Sequence, residues 1–298
     1  MLFASSVTNV MTHPAPLGRV IGVSRQQTRR PSPGAPDRPY SAVVSTLEVT
    51  TVADGVHVAF GPDVNWTLLV DGEDVTLVDS GYPRYVGAVV ESLRRVGRRP
   101  EDVRAILLTH AHIDHIGGAG HFASTYGTPV LTSDTEARHA RREYLEQASP
   151  LDVARNVWRR GALAWTVRIA RAGGTESGAV ADAEGFDSVV GSVPGGPLDL
   201  PGGPVPLDSS GHTSGHTGYH VPGAGAVLSG DALVTGHALS VRTGPQMLPP
   251  LFAHDRPREF DALDAFVGLD ADVLIPGHGG VHRGSVDDAV RRVRSARA

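Results

Sequence analysis

The sequence has 298 residues and no cysteine. Disulfides and thiolate metal sites are therefore excluded, and any metal must be held by His, Asp or Glu. A basic excess is also missing. The formal net charge is -5, which argues against nucleic-acid binding as the main activity. No stretch reaches the roughly 20 apolar residues that a membrane helix needs. Acidic residues are absent from positions 1–36, where Arg19, Arg25, Arg29 and Arg30 leave the segment basic. Secretory signals put their charge before an apolar run, and here the arginines follow the only mildly apolar segment. With Pro31, Pro33, Pro36 and Pro39 behind them, residues 1–40 read as a disordered basic tail. A targeting segment or an over-extended start are the alternatives. A hydrophobic fraction of 40% and a charged fraction of 20% fit a soluble globular protein. The expected location is cytoplasmic, and the expected partner is a small-molecule substrate, with neither nucleic acid nor membrane.

What the sequence has in quantity is histidine, 14 in all. Before the first cluster come short β-branched runs at Leu47–Val52, Val56–Phe60, Trp66–Val70 and Val75–Val78. Asp54-Gly55 and Asp71-Gly72 supply hairpin turns between them. The period then becomes helical through Tyr85, Ala88, Val89, Leu93 and Val96. Val103–Leu108 is an apolar strand that runs straight into Thr109-His110-Ala111-His112-Ile113-Asp114-His115. Residues 134–172 read as amphipathic and helical, with Leu145, Leu151, Val157, Trp158, Leu163 and Trp165 on one side. Residues 173–204 are rich in Gly and Pro and predict a long loop. Strands are expected at Tyr219–Val221, Ala226–Leu228 and Val273–Ile275, and helices at Pro257–Val267 and Ser285–Arg294. Strands followed by helices, twice, predict an α/β layered domain over residues 41–298, with 134–204 as a helical and Gly/Pro-rich insertion suited to a lid.

His110 and His112 lie two residues apart at a strand end, so their side chains point the same way and can converge on one ion. Asp114 and His115 lie past the strand end and can be aimed at a second point. Imidazole nitrogen and carboxylate oxygen are both zinc ligands. A cluster of this kind buried without a metal would be expensive. The same surroundings recur at His212 in Ser210-Gly211-His212, Asp231 in Gly230-Asp231 and His278 in Gly277-His278, each at a strand end beside glycine, where backbone can approach a ligand closely.

The H-x-H-x-D-H run, followed in order by that His, Asp and His, resembles the metallo-β-lactamase superfamily over about residues 47–285. The resemblance implies a four-layered αββα sandwich and two adjacent metal ions, zinc by default, with iron or manganese also compatible with the donors. One ion would be held by His110, His112 and His212, the other by Asp114, His115 and His278, with Asp231 bridging. Asp79 would be structural beside the site. The activity implied is a hydrolase using hydroxide generated between the cations, with Asp114 orienting the nucleophile and carrying its proton. The absence of cysteine and the presence of Asp231 disfavour a β-lactamase. Only twenty residues follow His278, too few for the helical region of a glyoxalase II. Esters, thioesters, lactones and related small-molecule bonds are the expected substrates. A mononuclear iron enzyme like the persulfide dioxygenases, using His110, His212 and Asp231, is the first alternative. A non-catalytic metal-binding protein of the same fold is the second.

Other residues carry weaker signals. His216 reads as a hydrogen-bonding structural residue, and His121 as a packing one. His237 and His254, between Asp231 and His278, read mainly as surface histidines, with a place in the pocket wall as the alternative, an alternative that Gln246 and Met247 share. Trp158 and Trp165 read as packing residues. Gly173-Gly174 and Gly195-Gly196 lack the following Lys of a phosphate loop.

Overall fold

The computed structural model describes residues 47–296, apart from 149, 157, 159, 160 and 187–194. The expected tail at 1–40 and Val157 lie outside the described residues.

The first sheet opens as an antiparallel meander of β1 (Glu48–Ala53), β2 (Val56–Phe60), β3 (Asn65–Asp71) and β4 (Asp74–Val78). Gly55 and Gly72, both at positive φ, make the two predicted turns. Helix α1 (Val86–Arg95) then crosses to β5 (Val103–Leu107), parallel to β4. Two more parallel strands, β6 (Val130–Thr132) and β7 (Ala183–Gly185), complete the sheet in sequence order. The second sheet contains β8 (Val205–Asp208), β9 (Thr217–Val221), β10 (Ala226–Gly230), β11 (Val273–Pro276) and β12 (His282–Arg283), in spatial order β12-β11-β10-β9-β8.

Strand alternation builds the layers. Leu69, Val78 and Leu107 point inward and pack with Tyr219, Leu228 and Ile275 of the second sheet. Their neighbours Leu68, Leu77 and Ile106 point outward and pack against Val89 and Leu93 of α1 and Phe122 of α3 (Ala119–Tyr126). On the far side, Val227 and Leu274 pack against Val286, Ala289, Val290 and Val293 of α8 (Val286–Ser295). Successive side chains on a strand face opposite sides, so each sheet carries one sheet-facing and one helix-facing surface. The result is the expected αββα sandwich.

Three elements differ from the sequence reading. Among the described residues, the 134–172 region is not one amphipathic stretch but three short helices, α4 (Asp134–Ala140), α5 (Pro150–Arg155) and α6 (Ala162–Arg171). Its expected apolar side is largely exposed, with Leu145, Leu151, Trp158 and Leu163 each more than half open to solvent. Trp165 and Ile169, four residues apart on α6, pack inward instead with Ala162 and Leu239. The predicted loop at 173–204 contains β7, whose Ala-Glu-Gly sequence carries no β-branched residue to announce a strand. The predicted helix at Pro257–Val267 is split into α7 (Arg256–Asp261) and a 3-10 turn over Ala262–Phe266. No described helix is long and apolar enough to cross a membrane.

Candidate metal centre

The two sheets put their ligand-bearing loops on one rim. His110 and His112 follow β5, and Asp114 and His115 sit on the one-turn helix α2 (Ile113–Ile116). β10 and β11 run parallel, so Asp231 and His278, just past their ends, emerge on the same side. His212 lies in the turn between β8 and β9. Glycine permits the closest approach. At Gly277 a Cβ would collide with Asp231 Oδ1 and with the His115 ring.

All seven predicted residues converge. His112 Nδ1 and His212 Nε2 are 3.1 Å apart. His110 Nε2 and His212 Nε2 lie 3.8 and 3.5 Å from Asp231 Oδ2. His115 Nε2 is 3.4 Å from Asp231 Oδ1. His278 Nε2 is 3.2 Å from Asp231 Oδ2 and 3.4 Å from Asp114 Oδ2. Three triads have donor atoms close enough to hold an ion: His110, His112 and His212; His110, His115 and Asp231; Asp114, His115 and His278. Tetrahedral zinc with bonds of about 2.0 Å separates its ligand atoms by about 3.3 Å, so the spacings suit divalent cations. His110 Nε2, His115 Nε2 and Asp231 Oδ1 are buried with no hydrogen-bond partner among the described residues. Native proteins rarely tolerate such orphans, and here all three face the same point.

The opposite ring nitrogens are each turned to an oxygen. His115 Nδ1 donates to Asp79 Oδ2 at 2.8 Å. His278 Nδ1 donates to the Asp63 carbonyl at 2.6 Å, and His112 Nε2 to the Glu146 carbonyl. Thr109 Oγ1 donates to Asp79 Oδ2 and accepts from His110 Nδ1 at 3.0 Å. His212 Nδ1 faces Glu259 Oε1 at 3.7 Å. Except at His212, whose Nδ1 makes no hydrogen bond among the described residues, these outward bonds leave the inward nitrogens with free lone pairs, the pattern of metal-binding histidines. Asp79 has φ 60°, a strained value for a non-glycine residue. Its carboxylate makes that geometry worthwhile by also accepting the Thr109 amide at 2.8 Å.

The carboxylates and imidazoles of the cluster shift one another's pKa values. Burial opposes charge on His278, yet Asp231 and Asp114 outweigh it and push its pKa up to about 10. His115 is likewise raised, since Asp231, Asp79 and Asp114 overcome its burial. Burial and the neighbouring histidines hold His110 well below its usual value and His112 at about 3. Burial favours neutral carboxyls, but His278 and His115 hold Asp231 far down, and His115 and His278 do the same for Asp114.

Sequence reasoning missed Glu136. It is fully buried, and its carboxylate accepts from Ala111 N at 2.7 Å, His139 Nδ1 at 2.7 Å, Thr213 Oγ1 at 2.8 Å and Gly215 N at 3.2 Å. It thus ties the His110/His112 loop to the His212 loop. Ser133-Asp134-Thr135-Glu136 resembles a capping box, and Ser133 does cap α4, so the sequence signal points to a local role. His216 makes the expected structural bonds, to Ser209 Oγ at 2.8 Å and from Asp231 N at 3.1 Å. His121 packs beside Phe122 and Tyr126.

A cavity of about 380 Å³ opens over the cluster, with His112, Asp114, His212, Asp231 and His278 along one side. His237 lines it, where a surface position was the main expectation, and Trp165 does too, where packing was expected over a binding role. Gln246 does not: its amide is spent on the Arg242 and Gly244 carbonyls. Met247 packs beneath the second sheet, and His254 lies at 3.5 Å from Glu146 in a neighbouring cleft.

The chain matches the sequence profile described as Metallo-beta-lactamase superfamily over residues 60–278. A probable metallo-hydrolase of Bacillus subtilis is 34% identical over 80 residues, 27% of this chain and 34% of that protein. An N-acyl homoserine lactonase of Bacillus cereus is 41% identical over 61 residues, 20% of this chain and 23% of the lactonase. The exodeoxyribonuclease WalJ of Streptococcus pneumoniae is 38% identical over 77 residues, 26% of this chain and 28% of the nuclease. These matches span about a third or less of each curated relative. Among solved structures, a metallo-beta-lactamase family protein from Thermus thermophilus superposes with TM-score 0.58 at 24% identity, over 83% of this chain and 80% of that one. A metallo-beta-lactamase mutant from Cronobacter sakazakii gives TM-score 0.56 at 18% identity, over 84% and 94%. At these identities the structural likeness is one of fold. With the family profile matching across both sheets and every ligand-bearing loop, the chain belongs to the metallo-beta-lactamase superfamily.

Proposed function

We propose that this protein is a dinuclear metallo-hydrolase, with zinc the expected metal, acting on an ester, thioester, lactone or related acyl bond. His110, His112 and His212 would hold one cation, and Asp114, His115 and His278 the other, with Asp231 shared. One observation carries the reading. Asp231 turns Oδ1 to His115 and Oδ2 to His110, His212 and His278, so one carboxylate reaches both donor sets. When bound, such a cation pair supplies Lewis acidity and lowers the pKa of water towards neutrality.

The protein's own groups divide the remaining work. Asp114 lines the cavity, and its Oδ2 stands 3.4 Å from His278 Nε2 and 3.8 Å from His115 Nε2. It is the carboxylate best placed to orient a nucleophile and carry its proton. Asp79, Asp63, Thr109 and Glu146 hold the imidazoles in the tautomers that binding requires. Apolar walls exclude water and strengthen electrostatic effects inside.

The choice of acyl over phosphodiester substrates rests on the cavity. None of its described lining residues is Arg or Lys, the side chains that normally meet phosphate oxygens. The lactonase named among the relatives agrees with this choice, and the nuclease named there does not. The test is metal content of purified protein and of Asp231→Ala by elemental mass spectrometry, with turnover of an ester and lactone panel. Two zinc per chain, reduced in the variant along with turnover, is expected. One iron per chain would overturn the proposal.

A further inference from the structure

The cavity is far more apolar than its ligand-bearing side requires. Trp165 and Ile169 of α6 meet Leu248 and Phe252 across it, and Val153 of α5 closes the same wall. A volume of about 380 Å³ lies in the range of small-molecule sites.

Polar side chains interrupt this surface, Gln147, Thr166, Thr175 and Glu176 among them, and two more, His237 and Tyr82, can donate to a ligand beside the histidine cluster. The His237 ring sits 5.1 Å from the His278 ring and 5.0 Å from that of Phe252. Its Nδ1 accepts the Leu239 amide at 3.1 Å, so in the neutral ring the proton is on Nε2. That nitrogen has no hydrogen-bond partner among the described residues. Tyr82 also lines the cavity, and its hydroxyl has no described partner either. A phenol is protonated near neutral pH. Both groups can therefore donate into the cavity. Neither donor atom is among the sealed, unpaired buried atoms, so each is open to the cavity, where water or a ligand can accept from it.

We infer that this cavity binds an acyl compound with an extended apolar tail, the tail lying along Trp165, Ile169, Leu248 and Phe252 and the carbonyl oxygen accepting from His237 Nε2 and Tyr82 Oη. The inference rests on the proposed hydrolysis only for the ligand's fate. Binding itself requires the wall and the two donors.

The test uses alkan-2-ones of increasing length on the metal-loaded full-length protein. These ketones offer the carbonyl and the tail but no scissile bond. The protein has three tryptophans. Trp66 is buried with Nε1 bonded to Ser92, and Trp158 is exposed. In a Trp158→Phe background, fluorescence therefore reports chiefly on Trp165, and calorimetry gives the affinities. Affinity is expected to rise about fourfold per methylene, from the burial of each one, until the cavity is full. His237→Phe should weaken every ketone by about 2- to 12-fold, the usual range for one hydrogen bond, with the slope per methylene unchanged. Ala170→Phe places a ring at an exposed helix position that borders the cavity, so folding should survive while the longest ketones lose affinity. Affinity independent of length would overturn the inference, and so would ketone binding unaffected by both variants. Length-dependent ketone binding without turnover of any ester would leave this site standing and remove the hydrolase reading. Ester turnover with flat ketone binding would do the reverse.

Discussion

Glu136 should govern the half of the metal centre that it never touches. Replacing it with Ala strands Ala111 N, Gly215 N and His139 Nδ1, while the Thr213 hydroxyl can turn elsewhere. Each buried orphan costs about 1–3 kcal/mol. Part of that is offset because the carboxylate no longer has to be desolvated. A net loss of about 2–5 kcal/mol is expected from the three orphans so offset. Glu136→Gln keeps the shape. Its single carbonyl can satisfy only one of the two donor pairs, and Thr213 can reverse its hydroxyl to accept the amide. One backbone N–H then stays unpaired, for about 1–3 kcal/mol. Both variants loosen the loops carrying His110, His112 and His212 and leave His278 alone. With two cations bound as proposed, one equivalent should therefore weaken by about 10- to 100-fold, and the other should hold. Urea unfolding measures the first effect and competition with a chromophoric chelator the second. Equal urea midpoints for wild type and Glu136→Ala, with both equivalents unchanged, would refute the reasoning.

Metal uptake should release protons. His278, at about 10, and His115, also raised, are protonated at pH 7 in the metal-free protein, and cations bind only their neutral forms. Affinity should therefore climb as pH rises towards 10 and fall as pH drops. Calorimetry in buffers of different ionisation enthalpy would count the protons, and a count of zero would contradict the assignment. Gly277→Ala should lower metal content, because its methyl would displace Asp231 Oδ1; elemental analysis decides. Trp158→Ser should leave stability within about 0.5 kcal/mol, since Trp158 is 80% exposed. A larger loss in urea unfolding would mean that this tryptophan is covered in solution.

The clustering of the seven candidate ligands was legible in the sequence because its logic is local. His110, His112, Asp114 and His115 are fixed by a strand end and one helical turn, and His212, Asp231 and His278 each announce themselves beside glycine. The alternation of apolar residues on β3, β4 and β5 likewise determined that the sheet has two buried faces. The insertion was another matter. Its helical period was read correctly in type, but period does not say which face meets the protein. Leu163 and Trp165 are two residues apart, and packing against Leu239 buries one and exposes the other. Strand β7 exists because β6 offers it a partner, not because Ala-Glu-Gly prefers extension. Glu136 reads as half of a capping box, yet its carboxylate closes a network with residues 25 and 77 positions away. Sequence by itself fixes what depends on neighbours along the chain. The cavity wall and the clamp between two ligand loops depend on neighbours across it, and only tertiary packing decides those.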